Sequence, residues 1–264
     1  MTDRRRDLDA FYTILDELRD RIGGYRHLRD TGGRRDWPAR GVYFFFERGE
    51  LREDGRDLRV VRVGTHAVSV GSRTTLWNRL AQHRGTTAGT FAGGGNHRGS
   101  IFRLHVGTAL LNRGTHPAEV QATWGRGSSA DRATRMAEYA LERDVSAHIG
   151  AMPFLWLDVP DAAGKGSHRK IIESGAIALL SNRGRPAIDP PSAGWLGRDA
   201  DRAAIRESGL WNVNHVDEYE YSALFELLAR HLGATEAHAG PQGVGPGESG
   251  APTTPGDAPG TPAA

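Results

Sequence analysis

Two polar residues of one predicted helix have a spacing suited to binding a phosphate. Arg79 and His83 lie four residues apart, so on a helix they share one face. That face is displaced by about 60° from the row of Leu76 and Leu80, which marks the buried side. Both side chains would therefore line the edge of the buried face, where a phosphate could reach them. A solvated arginine and a surface histidine are the simpler alternative.

Three more polar residues stand at informative places. Tyr43 lies in an aromatic predicted strand and points to the face opposite Phe44, because side chains alternate along a strand. Glu173 follows Ile172 on a predicted helix, so its carboxylate emerges beside the packed face. Asn182 stands at the end of that helix. The residues alone leave a structural interpretation open for each: an aromatic core residue, a solvated glutamate and a C-terminal cap.

The first half of the chain predicts a helix, a β-hairpin and a second helix. Apolar residues three and four apart predict an amphipathic helix over 7–22 that ends at two glycines. The β-favouring segments 41–47 and 56–64 flank an Asp-Gly turn signal and predict the hairpin. Residues 71–84 predict the helix of the phosphate-binding pair, and the glycine-rich stretch 93–99 after it is expected to be a flexible loop.

The second half predicts one strand among helices. A short apolar run closed by proline predicts the third strand, and amphipathic patterns predict the helices. The strand is 152–160, and the helices are 130–150, 166–182, 198–211 and 220–232. Residues 100–112 fit a strand or a helix, and Ser100 as a cap favours the helix. The predicted fold is therefore of the α/β (α+β) class, with a small, mainly antiparallel three-stranded sheet flanked by helices.

The same pattern divides the chain into three parts. Residues 1–40 form an N-terminal helix and linker, and residues 41–233 form the main domain, with a largely helical insertion at 84–151 and helices at its C-terminal end. Residues 234–264 include seven glycines and six prolines but only Val244 as a large apolar side chain. Such a tail cannot bury enough surface to offset the entropy of ordering it, so we expect it to be disordered.

Composition excludes several classes of protein. The content of 38% hydrophobic and 25% charged residues is that of a soluble globular protein. Because the chain has no cysteine, disulfides, thiolate zinc sites and cysteine nucleophiles are excluded. No run approaches the roughly 18 apolar residues of a membrane span, and the first residues lack the apolar core of a signal peptide. We expect a cytoplasmic protein without membrane association.

Positive charge is concentrated in one part of the chain. The net charge is only +2, but residues 62–135 hold ten arginines against Glu119 and Asp131, a local excess of +8. A polyanion such as nucleic acid would select this distribution. Because Lys165 and Lys170 are the only lysines, arginine used wherever any positive charge suffices is the alternative explanation.

The order of these residues resembles the GIY-YIG nuclease superfamily. The resemblance covers roughly residues 41–84 and 152–182, with a long insertion between them. Each short motif is weak by itself, but their order on strand, strand, helix, strand and helix is considerably more specific. The residues that carry the resemblance are Gly41-Val42-Tyr43, Val63-Gly64, Arg79 with His83, and Glu173 through Asn182.

The resemblance implies a catalytic set of Tyr43, Arg79, His83, Glu173 and Asn182. In the family the tyrosine activates the attacking water. A phenol with its ordinary pKa of about 10 is ionised about once in a thousand at pH 7, so it needs help. The family supplies a neighbouring metal-bound hydroxide or another base, and His83 is the best candidate here. Arg79 would clamp the phosphate, Glu173 would hold one divalent cation, Mg²⁺ or Mn²⁺, and Asn182 would brace the site or contact product.

The second half of the motif departs from the family pattern. Arg62 stands where the second tyrosine is expected, and an arginine cannot act as a base. It would contact phosphate instead, or the domain has lost its activity. His66 follows closely and is a candidate to replace part of the lost function.

The predicted function is a metal-dependent endonuclease that hydrolyses the phosphodiester bonds of DNA, expected to be double-stranded. An insertion can supply specificity because the phosphodiester is the same at every site while base edges differ. An insertion that only covers the sheet is the alternative to that role. The predicted DNA contacts are Arg62, His66, Arg84, His97, Arg98 and Arg103.

Two other functions fit the same residues. One is a catalytically silent nucleic-acid-binding or regulatory module that retains the fold. The other is a protein-interaction domain whose positive face meets an acidic partner. The sequence leaves open the DNA site, the oligomeric state and the biological setting.

Overall fold

A four-stranded antiparallel sheet forms the centre of the molecule. The computed structural model describes residues 4–32, 37–114 and 116–235, and in those ranges the strand order is β1-β4-β2-β3. The strands are β1 (Arg26–His27), β2 (Gly41–Leu51), β3 (Leu58–Gly64) and β4 (Pro153–Asp158). The predicted class, with its small antiparallel sheet, is confirmed. The sequence did not predict the two-residue strand β1, which is too short to carry a pattern.

Helices flank the sheet on both sides. The described part of the chain contains α1 (Arg4–Arg21), α2 (Leu76–Arg84), α3 (Ile101–Asn112), α4 (Ala118–Thr123), α5 (Arg132–Ala137), α6 (Tyr139–Ala151), α7 (His168–Leu180), α8 (Ala203–Ser208) and α9 (Leu224–Leu232), with 3-10 turns at Leu28–Asp30, His97–Gly99 and Leu196–Asp199. No helix in the described ranges is both long and apolar enough to cross a membrane.

The two faces of the sheet pack against different helices. On one face, Phe44 contacts Phe11 of α1, with 5.9 Å between ring centroids. Tyr43 and Phe45 point to the other face, where Phe45 meets Phe102 of α3 at 5.6 Å. All five side chains are fully buried. The N-terminal helix and the insertion therefore share one core with the hairpin.

The insertion departs from the predicted elements. The helix predicted over 130–150 is two helices, α5 and α6, which are separated at Glu138. The Glu138 carboxylate is buried and binds Arg98, a tertiary contact with no local sequence signal. The stretch 93–99 was expected to be a flexible loop. It is packed against the rest of the protein, since Gly94 and Gly95 are buried.

The C-terminal part also differs from the prediction. Of the helix predicted over 198–211, only the short helix α8 forms, and it ends at Gly209, which has a φ of 77°. The predicted disordered tail lies outside the described residues from position 236 onward. Just before that point Thr235 is buried, donating to the His231 carbonyl at 2.9 Å and accepting from the Asp158 N–H at 3.3 Å.

Candidate active site

The hairpin places Tyr43 opposite a glycine. Tyr43 on β2 is paired with Gly64 on β3 and with Trp156 on β4. A Cβ atom at Gly64 would overlap the Tyr43 ring, so only glycine leaves room for the phenol. A Cβ at Gly41 would lie 2.5 Å from the Leu157 carbonyl oxygen. Close packing therefore explains why glycine occupies both motif positions.

His83 joins Tyr43 to the insertion. Its Nε2 lies 2.8 Å from the Tyr43 hydroxyl, and its Nδ1 lies 2.8 Å from the Ser100 hydroxyl. Burial holds the pKa of His83 well below its usual range, and the positive charges of Arg79, Arg62 and Arg103 lower it further. The imidazole is therefore neutral near pH 7.

Arg62, in place of the second motif tyrosine, is turned inward. Its side chain donates to the Trp211 carbonyl at 2.8 Å and stacks over Phe102, 4.5 Å from the ring centroid. Burial lowers the pKa of Arg62, whereas Tyr43 and Glu173 raise it. The sequence analysis predicted that Arg62 contacts DNA. At 6% exposure, its side chain cannot reach a DNA backbone in this structure. It is a buried cation that interacts with the Tyr43 hydroxyl.

The Glu173 side chain, which belongs to α7, reaches the end of β3. Its Oε1 accepts the Thr65 N–H at 3.2 Å, and Thr65 in turn donates its hydroxyl to the Gly41 carbonyl at 2.8 Å. Burial raises the pKa of the carboxyl, while Arg62, then His215, oppose that effect. His215 has a left-handed φ of 64°, which is uncommon for a residue other than glycine.

The donor set at Glu173 fits a hydrated divalent cation. In the described part of the chain its second oxygen, Oε2, has no hydrogen-bond or ion-pair partner. No cluster of three or more carboxylate or histidine ligands occurs in that part either. Mg²⁺ is commonly bound through one or two carboxylates while it retains several waters. Glu173 is thus the residue that could hold such an ion.

Arg79 is the accessible cation of the site. It is half-buried on α2, and its guanidinium donates to Gln82 Oε1 at 3.1 Å. Its charge acts on His83, Arg62 and Glu173. It also lines a groove of about 320 Å³, whose lining includes His97, Arg98, Gly125 and Gly127. A phosphate in that groove would meet Arg79 at its edge.

Two predicted site residues, His66 and Asn182, have partners other than the remaining predicted site residues. His66 is buried, its Nε2 lies 3.3 Å from the Ala39 carbonyl oxygen, and burial lowers its pKa to about 4. Asn182 accepts at Oδ1 from Arg4 at 3.0 Å and from the Ile188 N–H at 2.9 Å. The structure therefore gives Asn182 a bracing role between α1 and the loop after α7. It does not bring Asn182 into contact with Tyr43.

The insertion residues predicted to contact DNA face inward. Arg103 is fully buried and paired with Glu142, and His97 Nδ1 lies 3.0 Å from the same carboxylate. The Arg98 side chain is 3% exposed and paired with Glu138 at 2.7 Å. These side chains are taken by internal partners, although His97 and Arg98 also line the groove beside Arg79. Arg84 is half-buried and donates to the Thr31 carbonyl.

Sequence reasoning missed three residues of the site. Ser100 was visible only as a helix cap, which it is, since its hydroxyl accepts the Arg103 N–H at 3.3 Å. Thr65 and His215 carry no motif and reach Glu173 only through the fold. An isolated serine before a helix gives no sign of a histidine partner 17 positions earlier.

The comparison with known families agrees with this arrangement. The sequence profile of the GIY-YIG domain matches residues 2–238. The chain therefore belongs to the GIY-YIG domain family, a family of endonucleases that act on DNA and generally use divalent metal ions. No curated protein and no solved structure gave a significant match.

Proposed function

We propose that this protein is a metal-dependent DNA endonuclease that cleaves double-stranded DNA in the cytoplasm. The contact between Tyr43 and His83 supports this best, because a 2.8 Å hydrogen bond joins a motif tyrosine to a neutral imidazole at the centre of the fold. Packing alone does not require two polar groups to meet in an aromatic core. Membership of the GIY-YIG domain family supports the same conclusion.

In this proposal each side chain has a distinct task. Arg79 binds the scissile phosphate and stabilises the negative charge that develops on phosphorus. Tyr43 takes a proton from the attacking water as its own phenolic proton passes to Nε2 of the neutral His83, 2.8 Å away. Glu173 would hold the divalent cation, which when bound polarises the phosphate and stabilises the leaving 3′ oxygen.

The DNA contacts of this proposal differ from those predicted by sequence. Arg126 is exposed between Gly125 and Gly127, which line the same groove as Arg79. Arg73 is exposed in the loop that leads into α2. These two side chains can reach a phosphate backbone, whereas the Arg103 side chain is fully buried.

One observation favours the catalytically silent DNA-binding module as a second candidate. Tyr43 has no exposed surface, so the attacking water reaches its hydroxyl only if the groups around it move. Arg62 also occupies the position of the second tyrosine and cannot act as a base. A silent module would bind DNA and leave it uncut.

A cleavage assay separates the two candidates. The parent protein is incubated with supercoiled plasmid and single-stranded DNA in Mg²⁺, in Mn²⁺ and in a chelator. We expect metal-dependent nicking of the plasmid. Tyr43→Phe should reduce the rate by about 100-fold or more with little change in DNA affinity, because only the hydroxyl is lost. The matched control is Tyr219→Phe, since Tyr219 is 60% exposed.

Glu173 supplies the second comparison. Glu173→Gln retains an oxygen for the Thr65 N–H but loses the charge, so it should abolish cleavage in a folded protein. DNA affinity should survive or increase, because repulsion between the carboxylate and the phosphate backbone disappears. The control is Glu119→Ala on an exposed position of α4. Full cleavage by folded Glu173→Gln would rule out the one-cation mechanism. DNA binding without any metal-dependent cleavage by the parent would favour the silent module.

A further inference from the structure

A second cavity adjoins the groove of Arg79. It has a volume of about 240 Å³ and lies between α3, α4 and the residues just before α8. Leu104 and Gly125 line both the cavity and the groove, so the two spaces are neighbours. Arg126 lines the cavity, while Gly125 and Gly127 on either side of it line the groove. A DNA strand with a phosphate in the groove could therefore place a neighbouring base in the cavity.

Apolar and aromatic side chains form part of the cavity lining. They are Leu104 and Leu111 of α3 and the Trp124 indole. Trp124 is held in place, because its Nε1 donates to the Leu104 carbonyl at 3.1 Å and a Cβ atom at Gly107 would overlap its ring. Enzymes that hold a single nucleobase in a pocket place it against side chains of this kind. The lining therefore suits a flat aromatic ligand.

His105 supplies a buried polar group that the proposed hydrolysis does not use. The residue lines the cavity and is 2% exposed, and its Nε2 has no hydrogen-bond partner among the described residues. Its Nδ1 lies 3.9 Å from Asp201 Oδ1, too far for a direct hydrogen bond. Burial lowers the pKa of His105 to about 4, so near pH 7 the neutral ring has one donor and one acceptor. Because most buried polar side-chain atoms in proteins are hydrogen-bonded, this imidazole is suited to a polar ligand in the cavity.

Asp201 and Gln121 give the cavity a rim that favours an amino group. The Asp201 side chain is 49% exposed beside the cavity, and an ionised carboxylate only accepts hydrogen bonds. Gln121, exposed on α4, both donates and accepts. Adenine, cytosine and guanine carry an exocyclic amino group that can donate to a carboxylate, whereas thymine does not. Arg126 and Arg202 line the same cavity from exposed positions, where flanking phosphates could reach them.

We propose that this cavity receives an amino-bearing base that has turned out of the DNA helix beside the scissile phosphate, with Asp201, His105 and Gln121 binding its edge. Turning a base out costs least where the base is mismatched or already unpaired. The cavity would therefore direct the protein to such positions in DNA. This inference rests on the proposed function, because it takes DNA as the ligand and the groove of Arg79 as the phosphate site. It assigns no chemical step of hydrolysis to the cavity.

DNA binding in a chelator tests the cavity separately from cleavage. Three duplexes of equal length differ at one central position, which is a matched pair, an A·C mismatch or a T·T mismatch, and fluorescence anisotropy measures each affinity. We expect the parent to bind the A·C duplex about 10-fold more tightly than the T·T duplex, since thymine lacks the amino group.

Two variants assign that preference to the cavity. Asp201→Ala and His105→Phe should each reduce it to less than about 3-fold. The first changes an exposed side chain, and the second retains a buried ring and removes an unpartnered nitrogen, so both should keep the melting temperature of the parent. The matched control is Asp20→Ala on α1, where the side chain is 78% exposed, and it should keep the preference.

The outcomes separate the cavity from the nuclease. Equal affinity of the parent for all three duplexes would overturn the cavity, as would an A·C preference that survives in folded Asp201→Ala or is lost equally in Asp20→Ala. A parent that shows the cavity-dependent preference but never cuts plasmid in Mg²⁺ would refute the nuclease and leave the cavity standing. Metal-dependent cleavage by a parent without the preference would do the reverse. A parent that binds none of the duplexes would overturn both.

Discussion

Replacing Arg103 by methionine tests how the insertion uses its positive charge. In the folded protein Arg103 is fully buried, and its guanidinium donates to the Glu142 carboxylate, the Glu142 carbonyl, the His83 carbonyl and Ser146. Methionine retains much of the side-chain volume and removes all these donors. Among the described residues, the Glu142 carboxylate, whose side chain is 5% exposed, would keep only its contacts with His97.

The expected loss of stability is large. Removing one partner of a buried ion pair costs about 3–5 kcal/mol because the other charge stays buried. At roughly 2–4 °C per kcal/mol for a domain of this size, the melting temperature should fall by on the order of 10 °C. Adding Glu142→Leu should restore part of the loss, since no unpaired charge remains. Urea unfolding of the parent, Arg103→Met and the double variant measures each step.

A variant of an exposed arginine serves as the control, and the salt dependence of DNA affinity is the measurement that could refute the buried role of Arg103. Arg73→Met, on a surface loop, should change the free energy of unfolding by no more than about 0.5 kcal/mol. The reasoning fails if folded Arg103→Met keeps the parent stability while the slope of log DNA affinity against log salt falls by about 0.9, the value for one lost phosphate contact. That result would mean that Arg103 faces DNA.

Three further predictions concern the hairpin, acid stability and the tail. Gly64→Ala should slow plasmid cleavage more than about 10-fold and cost about 1–3 kcal/mol, because its Cβ would overlap the Tyr43 ring; unchanged cleavage would contradict this packing. Burial lowers the pKa of His66 and His105 from 6.5 to about 4, so below pH 6.5 the unfolded chain takes up protons first. The free energy of unfolding should therefore fall between pH 6.5 and pH 4, by up to roughly 1.4 kcal/mol per pH unit for each histidine; urea midpoints that do not change with pH would exclude it. Truncation after Thr235 should leave the melting temperature nearly unchanged, whereas truncation two residues earlier should lower it, because the buried Thr235 and its hydrogen bonds are lost.

Regular elements followed from local patterns. Apolar spacing located α1, α7 and α9 to within a few residues. The aromatic and β-branched segments located β2 and β3, and the apolar run closed by proline located β4. These patterns are readable because a helix or strand that packs on one face must repeat its apolar residues with the period of that element. The patterns missed β1 and α4, which are too short to repeat, and the break at Glu138, which depends on a partner 40 residues away.

The candidate site was predictable only where a motif marked it. Tyr43, Arg79, His83 and Glu173 stand in the order of a known family, so their grouping could be predicted before their distances were known. Asn182 had the right place in the chain, yet its side chain braces α1 against the loop after α7. Position along the chain indicates which element carries a residue, but the partners of its side chain depend on which elements pack nearby.

The sequence by itself determined the class of fold and the family, because periodicity, turn residues and motif order are local properties. Only the tertiary structure decided how the charges are used. Ten arginines between 62 and 135 suggested a surface for DNA, but Arg62, Arg98 and Arg103 are buried against carbonyl or carboxylate groups. Charge counts do not distinguish an arginine that meets a phosphate from one that meets a buried glutamate, since both interactions use the same donors. The contacts made through folding are what separate them.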